Sequence, residues 1–553
     1  MQMGKHEFDR VKALIALCMV STLAGAEEVQ HLSITVPGGM PGLPVMTGIA
    51  RTGNVAKITW DGPSGYYQLY QKTNLTSPAW QKFGSPNLDR AANITTLRSN
   101  SFFRVLGPAP QYAGARACLE CHESVHAVEM STRHAHAFTA LKAAHQEKNP
   151  SCLPCHTVGY GLPTGFVSEA ATPQLAGVQC ENCHGPAGNH AANPGDLTTR
   201  PRMDIAGQVC GGCHNGPHNP TFDEWQSSGH FAVVEDMNPP SRINSCGRCH
   251  SGTARLAMVS GVPANVISTT LTNDANVGIT CAVCHDPHAN HVWTNQVAGI
   301  VYTNQLRQAL SSTNDFFLTT ATNFSSVYNP NINICAQCHN HRGADWTSSG
   351  RPPHHSPQYN MLLGTVGVLP VGVSGGPAAH AGTEFLSGAS GRLLLVTNQC
   401  VTCHMQAGAY QPGPPEVAAV TGHSFEVRSY GACVDCHGAG ANDDSVRTWR
   451  EFFLDQMQAV KAKLDQWALT KAPDVLRTNY GVRSWEYTVP GDWSSGGPGP
   501  TTAQQALIPD NIKKARFNLY LVLYDGSYGL HNGPYSLTLL DAARDWVQLE
   551  LNQ

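Results

Sequence analysis

One pentapeptide, Cys-x-x-Cys-His, occurs nine times in this chain of 553 residues. Two thiols three residues apart can form thioethers with the two vinyl groups of one porphyrin, and the adjacent histidine then lies under the iron. Zinc sites would use four sulfurs per metal and would not need a histidine after every cysteine pair. Disulfides would not need the histidine either. The repeat therefore predicts nine covalently bound haem c groups, one for each motif.

The predicted attachment residues include every cysteine of the chain except Cys18. The thioether cysteines are Cys118, Cys121, Cys152, Cys155, Cys180, Cys183, Cys210, Cys213, Cys246, Cys249, Cys281, Cys284, Cys335, Cys338, Cys400, Cys403, Cys433 and Cys436. The proximal iron ligands are His122, His156, His184, His214, His250, His285, His339, His404 and His437. We number the motifs 1 to 9 in this order.

The composition is that of a chain whose core is not built from side chains alone. Charged residues make up 13% of the chain, against about a quarter in ordinary domains. Glycine and proline number 53 and 36, so loops are abundant. Covalent and iron bonds can replace missing apolar burial. The sequence thus predicts a multihaem cytochrome c fold, mostly α-helix and loop around stacked haems, with an N-terminal β-sandwich module and a C-terminal helical region.

The charge of the chain indicates which partners are excluded. The formal net charge is −4, and every haem would add two propionate carboxylates. An acidic protein of this kind does not bind nucleic acid through a basic surface. The expected partners are redox proteins, such as other cytochromes or a terminal reductase or oxidase.

Residues 1–26 have the pattern of a secretory signal peptide. The apolar run from Ala13 to Leu23 precedes Ala24-Gly25-Ala26, which matches an A-x-A cleavage site. No later stretch is long and apolar enough for a transmembrane helix. We therefore expect an exported protein without a transmembrane segment after signal cleavage, either periplasmic or at the cell surface and extracellular.

Residues 27–107 contain no cysteine and are expected to form a β-sandwich similar to fibronectin type III modules. Segments 48–60, 66–72 and 101–106 have the composition of strands. Such a module could serve in surface adhesion or docking, or it could act as a spacer or a cover for haem edges. The sequence does not distinguish these roles.

Residues 108–440 form the predicted nine-haem domain, and its first part resembles a known family. The resemblance extends from Cys118 to about Asn193 and rests on three strings. They are Ser131-x-x-His134-Ala-His136, the run from Cys152 to Gly161, and Val178-Gln-Cys180-Glu-Asn-Cys183-His-Gly-Pro186. This part is similar to the tetrahaem cytochrome c-554 family. The resemblance implies close haem packing, electron transfer, and His134 and His190 as distal ligands.

The remainder resembles, more loosely, the group of octahaem hydroxylamine oxidoreductases and pentahaem nitrite reductases. The matching contexts are Cys281-x-x-Cys-His-Asp-Pro-His288, Pro353-His-His355 and Gly422-His423. The Cys-x-x-Cys-Lys motif of the nitrite reductases is absent, since all nine motifs end in histidine.

A histidine in the sixth iron position gives saturated iron that moves electrons, whereas an open position can bind substrate. The chain has 26 histidines, more than enough for two at every iron. The favoured distal ligands are His134, His190, His230, His288, His355, His423 and His531. The next candidates are His218, His291 and His380. Sequence does not show which histidine faces which motif.

Residues 441–553 are predicted to be helical. A helix capped by Asp443, Asp444 or Ser445 should run to about Thr470, and further helices should lie near 510–524 and 535–551. The apolar face of the first helix consists of Val446, Trp449, Phe453, Met457, Val460, Leu464 and Trp467. These helices should pack on the haem domain, as an intrachain cap or as a contact between subunits of a homo-oligomer.

The sequence favours an electron-transfer protein over an enzyme. The first alternative is a multihaem oxidoreductase acting on nitrogen or sulfur compounds at one open haem. The second is a subunit of an extracellular haem filament. No distinctive set of acid and base residues identifies a catalytic site.

Overall fold

A computed structural model describes the chain over most of residues 110–553 and over the strands that precede them. The described ranges are 18–21, 45–52, 55–61, 67–72, 80–87, 91–94, 100–106, 110–233, 242–263, 266–267, 277–289, 291–294, 301–307, 334–341, 344–381, 384–386, 393–395 and 399–553. The chain divides into two compact units. Unit 1 comprises Met1–Gln226, Thr280–Asn290 and Tyr410–Ala419, and unit 2 comprises Ser227–Ile279, His291–Ala409 and Val420–Gln553.

The strands are mostly in the N-terminal part of unit 1. They are β1 Cys18–Ser21, β2 Val45–Thr52, β3 Val55–Asp61, β4 Tyr67–Lys72, β5 Gln81–Asn87, β6 Ala91–Ile94 and β7 Asn100–Leu106, followed in unit 2 by β8 His291–Thr294, β9 Val301–Asn304, β10 Glu384–Leu386 and β11 Leu393–Leu395. In unit 2, β8 pairs with β9 and β10 pairs with β11, both antiparallel.

Two antiparallel sheets in unit 1 share one apolar core. One has the strand order β1-β7-β4-β5 and the other β2-β3-β6. The second sheet contributes Ile58, Trp60 and Ile94 to this core, and the first contributes residues such as Tyr67 and Phe103. Side chains alternate between the faces of a strand, so each sheet buries one face. A fibronectin type III-like topology for this module stays a prediction.

The single strand predicted over 48–60 is wrong, because the structure has two strands there. β2 and β3 form a hairpin in which Thr52 pairs with Val55. Alternation looks the same on both arms of a hairpin, and the Gly-Asn dipeptide between them was the available turn signal. β1 lies inside the predicted signal peptide and pairs with β7. Cleavage after Ala26 would therefore remove β1 from this sheet.

The helices before the C-terminal region are short and separated by loops. In chain order the helices are α1 Glu123–Met130, α2 Ala137–Ala143, α3 Leu153–His156, α4 Cys180–His184, α5 Gly188–Ala192, α6 Gln208–Gly211, α7 Thr221–Gln226, α8 Gly229–Ala232, α9 Ile243–His250, α10 Gly252–Val259, α11 Cys281–Cys284, α12 Gln358–Leu363, α13 Gln399–His404, α14 Val434–His437, α15 Asp443–Thr470, α16 Asp474–Tyr480, α17 Asp510–Asp525 and α18 Gly533–Asn552. Many of the short ones contain a motif, as expected for helix and loop arranged around haems.

The C-terminal helices α15, α17 and α18 pack on one another and form the largest apolar core of unit 2. α15 starts at a capping box in which the Asn442 side chain accepts from the Ser445 N–H and the Ser445 side chain accepts from the Asn442 N–H. Its end at Thr470 matches the prediction. The predicted face is buried except for Trp449, which is 40% exposed. The Trp449 ring lies near the start of the helix, against Gly533 at the beginning of α18, where less of the bundle covers it.

Among the described helices, none combines the length and the apolar character that crossing a bilayer requires.

Candidate haem sites

The motifs form single helical turns that bring their three functional side chains together. The His122 N–H donates to the Cys118 carbonyl over 2.9 Å, and the His339 N–H donates to the Cys335 carbonyl over 2.9 Å. Motifs 4 and 6 make the same bond at 3.0 and 2.8 Å. Residues three and four apart lie on one face of a helix. Each such turn therefore presents two thiols and an imidazole to the same side.

Within the described residues, six motif histidines lie opposite a second histidine, and we call these the facing pairs. Their ring centres are 5.8 to 6.3 Å apart. The facing pairs are His134–His214, His184–His288, His230–His339, His250–His354, His380–His437 and His404–His531. Each pair lies within a single unit.

The spacing of the facing pairs fits one iron between the two rings. An imidazole nitrogen binds a metal at about 2.0 to 2.1 Å and lies about 1.1 Å from its ring centre, so two rings on one iron have centres about 6.3 Å apart. A single ring pair at this distance would be ordinary aromatic packing. The recurrence of the spacing, always with a motif histidine as one member, is what a set of six-coordinate haems requires.

Burial keeps several of these imidazoles in the neutral form that binds iron. Burial, and after it the nearby His339, lower the pKa of His230 to about 4. Burial also lowers the pKa of His134, His380 and His404. Neutral imidazole is the ligand form of histidine, so these sites do not need to lose a proton before binding iron.

Backbone carbonyls orient motif histidines by accepting from Nδ1. The Nδ1 of His156 lies 2.9 Å from the Ala137 oxygen, and that of His184 lies 2.7 Å from the Arg202 oxygen. The Nδ1 of His404 lies 2.8 Å from the Phe425 oxygen. A hydrogen bond from Nδ1–H leaves Nε2 as the nitrogen that faces the iron.

His531, across from His404, has a different partner. Its Nδ1 lies 2.7 Å from Oδ1 of Asp525, whose side chain is 1% exposed. Burial alone would lower the pKa of His531, but the charge and hydrogen bond of Asp525 outweigh it and raise that pKa. The hydrogen-bond acceptor at Nδ1 of His531 is therefore a carboxylate. For His156, His184 and His404 the acceptor is a backbone carbonyl.

The two residues between the cysteines of motif 3 tie this motif to its neighbours. Glu181 is 1% exposed and accepts from the backbone N–H groups of Ala113, Gly114 and Ala187. Asn182 donates to the carbonyl of Thr157, which directly follows motif 2. The side chains inside this motif thus fix the loop before motif 1 and the residue after motif 2.

Thiols from different motifs contact one another and show which motifs are neighbours. In unit 1 the thiol contacts are Cys118–Cys180, Cys155–Cys213 and Cys210–Cys281. In unit 2, Cys335 contacts Cys400. Motif 3 is therefore beside motif 1, motif 4 is beside motifs 2 and 6, and motif 7 is beside motif 8. No group of three or more potential ligands gathers around a metal-sized site in the described part of the chain.

The C-terminal bundle is hydrogen-bonded to the segment after motif 7. This contact explains why His531 lies opposite motif 8. Asn532 donates to the carbonyls of Met361, Leu362 and Gly376. The Tyr535 hydroxyl donates to the Val366 carbonyl over 2.7 Å. These bonds fix the loop between α17 and α18, where His531 lies.

For three other predicted distal histidines the described part of the chain gives different neighbours. His355 packs on Tyr524 with ring centres 3.8 Å apart, and its neighbour His354 faces motif 5 instead. His423 lies beside Phe425 at 5.9 Å. The Nδ1 of His190 is buried without a hydrogen-bond partner within the described residues.

Of the second group of candidates, His380 faces motif 9, whereas His218 stacks on Tyr410 at 3.9 Å. His291 starts β8, and its side chain lies outside the described part. His354, which lies opposite His250 of motif 5, was not among the predicted distal ligands. The only available signal was its place beside His355, and adjacent residues point in different directions.

One-turn Cys-x-x-Cys-His helices with histidine pairs spaced for iron define a class, the c-type cytochromes with several haems. Comparison with known proteins agrees with this class. The family described as cytochrome c554 and c-prime matches residues 117–185. The chain is 31% identical over 114 residues to cytochrome c-554 of Nitrosomonas europaea, covering 18% of this chain and 47% of that protein.

It is 27% identical over 164 residues to the multiheme cytochrome MtrA of Shewanella baltica, covering 25% of this chain and 46% of MtrA. The chain thus spans just under half the length of these curated relatives. The crystal structure of the outer cell wall cytochrome OcwA superposes with a TM-score of 0.45 at 20% identity, covering 79% of this chain and all of that one. The chain is a multihaem c-type cytochrome.

Proposed function

We propose that this protein is an exported nine-haem cytochrome that carries electrons between redox partner proteins. The observation that carries the proposal is the set of facing pairs, whose spacing of 5.8 to 6.3 Å suits iron closed on both sides. When bound, each haem supplies a one-electron iron couple. Saturated iron exchanges electrons without binding substrate.

Residues around several of the predicted ligands support this role by holding the imidazoles in place. Carbonyls orient His156, His184 and His404. Burial lowers the pKa of His134 and His380, which face motifs 4 and 9. Ligands fixed in this way need little rearrangement when the charge on the iron changes. A rigid, preorganised ligand shell is what an electron carrier needs from its protein.

The thiol contacts between motifs support short relays of neighbouring haems within each unit. Since a haem is attached through its cysteines, thiols in contact require their porphyrins to be neighbours. Unit 1 then contains the orders 1–3 and 2–4–6, and unit 2 contains 7–8. Closely spaced haems are the arrangement that the resemblance to the cytochrome c-554 family implies.

We infer the location and the partners from the haem motifs, the signal pattern and the relatives of this chain. Export agrees with c-type haem attachment, which takes place outside the cytoplasm, and with the signal pattern of residues 1–26. MtrA and cytochrome c-554 are themselves cytochromes, so other redox proteins are the expected donors and acceptors. The count of nine haems rests on the nine motifs.

Protein-film voltammetry of the holoprotein tests the relay directly. We expect reversible one-electron waves spread over a range of potentials, unchanged by added nitrite or hydroxylamine. Electron paramagnetic resonance of the oxidised protein should show at least six of the nine irons as low-spin. A catalytic current with either compound, or a majority of high-spin iron, would overturn the proposal in favour of an enzyme.

A further inference from the structure

The facing pair His404–His531 has a carboxylate behind one of its rings. His531 Nδ1 lies 2.7 Å from Asp525 Oδ1, while the opposite ring donates from its Nδ1 to the Phe425 carbonyl over 2.8 Å. The carbonyl partners of His156 and His184 carry no net charge. Motif 8 therefore has a full negative charge next to one of its axial ligands, unlike the carbonyl partners of His156 and His184.

The charge of Asp525 is buried and is not balanced by a basic side chain. Its side chain is 1% exposed, and among the described residues no lysine or arginine pairs with it. The Ser527 hydroxyl donates to Oδ2, and Ser527 Oγ in turn accepts from the His531 N–H. The turn that follows α17 thus holds the carboxylate on the imidazole.

A carboxylate that accepts from Nδ1–H draws this proton towards itself and makes the imidazole a stronger donor to iron. A buried negative charge also favours the oxidised iron, which carries one more positive charge than the reduced iron, because little water screens it. Both effects lower the reduction potential of the iron. Neither effect requires the carboxylate to gain or lose a proton.

We propose that Asp525 is a positioning residue that lowers the reduction potential of the haem attached at Cys400 and Cys403. The proposal rests on the proposed function, in which His404 and His531 are the axial ligands of this haem. The Cys400 thiol contacts Cys335 of motif 7, so the haems of motifs 7 and 8 are neighbours. The carboxylate thus makes this iron harder to reduce than the same site would be without the charge of Asp525.

The test uses the holoprotein with Asp525→Asn, which keeps the size of the side chain and an acceptor oxygen but removes the charge. A potentiometric titration should show one one-electron component moved to higher potential. At fixed potential its oxidised-to-reduced ratio should fall about tenfold, equivalent to about 59 mV. Asp492→Asn is the matched control, since Asp492 is 66% exposed and lies 3.8 Å from His355. It should leave all components in place.

Ser527→Ala is a second test, which keeps the carboxylate and should shift the potential in the opposite direction. Without the serine hydroxyl, the charge acts on His531 alone, and the same component should move to lower potential. This variant tests the proposal even if Asp525→Asn fails to fold. Asp525→Glu, which restores the charge, should bring the component back towards the wild-type potential.

Paramagnetic resonance separates the two ways in which the idea can fail. If Asp525→Asn keeps every low-spin signal and no component moves, Asp525 has no effect on the potential and the proposal is overturned while the relay stands. If His531→Ala leaves the count of low-spin irons unchanged, His531 is not an axial ligand. That result overturns the proposal together with the ligand assignment on which it rests.

Discussion

Glu486 gives the C-terminal bundle a pH dependence that can be calculated from its surroundings. The residue is 1% exposed. Burial raises its pKa to about 7 from 4.5, although the Tyr520 hydroxyl, two backbone N–H groups and the charge of Arg516 favour the carboxylate. The Tyr520 hydroxyl donates to Oε1 over 2.6 Å. Desolvation of this carboxylate therefore raises its pKa by more than its hydrogen bonds and the charge of Arg516 lower it.

The sign of the effect follows from the raised pKa. Below pH 4.5 Glu486 is protonated in both the folded and the unfolded protein, and its contribution to stability is fully present. Between pH 4.5 and 7 the unfolded chain loses the proton while the fold retains it, so stability falls. At 1.36 kcal/mol for each pKa unit, the total loss from this one group is about 3 kcal/mol at pH 8 relative to pH 4.

The assay is denaturant unfolding of the holoprotein between pH 4 and 8, followed by far-UV circular dichroism. Glu486→Gln should flatten the pH dependence by about 3 kcal/mol relative to wild type. Its absolute stability can also change, because a Gln NH₂ would face the two N–H donors, so the slope is the diagnostic quantity. Glu451→Gln, which removes a carboxylate 61% exposed on α15, is the matched control. Equal slopes for wild type and Glu486→Gln would refute the reasoning.

Three further predictions concern packing, ligation and the link between motifs. Phe453→Ala should destabilise the bundle by about 3 to 5 kcal/mol, since Phe453 is fully buried. Phe452→Ala, at a position 42% exposed, should cost less than about 1 kcal/mol; equal urea midpoints would contradict this. His134→Ala should let the reduced holoprotein bind carbon monoxide at one additional haem, whereas His218→Ala should not, as measured by optical titration. Glu181→Ala should lower the unfolding free energy by about 2 to 3 kcal/mol in urea, because three backbone N–H groups lose their acceptor; an unchanged midpoint would count against that role.

The sequence predicted the haem-attachment motifs and the C-terminal helices because both depend on local spacing. The spacing of two thiols three positions apart and a periodic apolar face are visible without a fold. The helices predicted near 510–524 and 535–551 match α17 and α18 within two residues. Trp449 is more exposed than predicted because its burial depends on where α18 begins. The apolar pattern of α15 carries no information about that position.

The choice of facing histidine depends on long-range topology and was not predictable from sequence. His134 lies between motifs 1 and 2 but faces motif 4, and His288 follows motif 6 but faces motif 3. His531, from the far end of the chain, faces motif 8. No local signal relates these positions. His354 and His355 cannot be told apart from sequence for a different reason: adjacent residues share one sequence context and differ only in the direction of their side chains.

The role of Asp525 was also beyond the sequence. An aspartate six residues before a histidine, at a helix end, is a common pattern with no chemical meaning of its own. Only the turn after α17 brings the carboxylate onto Nδ1, and only the surrounding helices bury it. Properties of this kind arise from burial and orientation, which composition and spacing do not encode.

The central claim is that this chain holds nine covalently attached haems through its nine motifs. Intact-protein mass spectrometry of the matured protein under denaturing conditions tests this claim most directly, because thioether-bound haem survives unfolding. We predict a mass that exceeds the polypeptide by nine haems. A polypeptide mass without this increment, or with a metal lost on denaturation, would contradict the account.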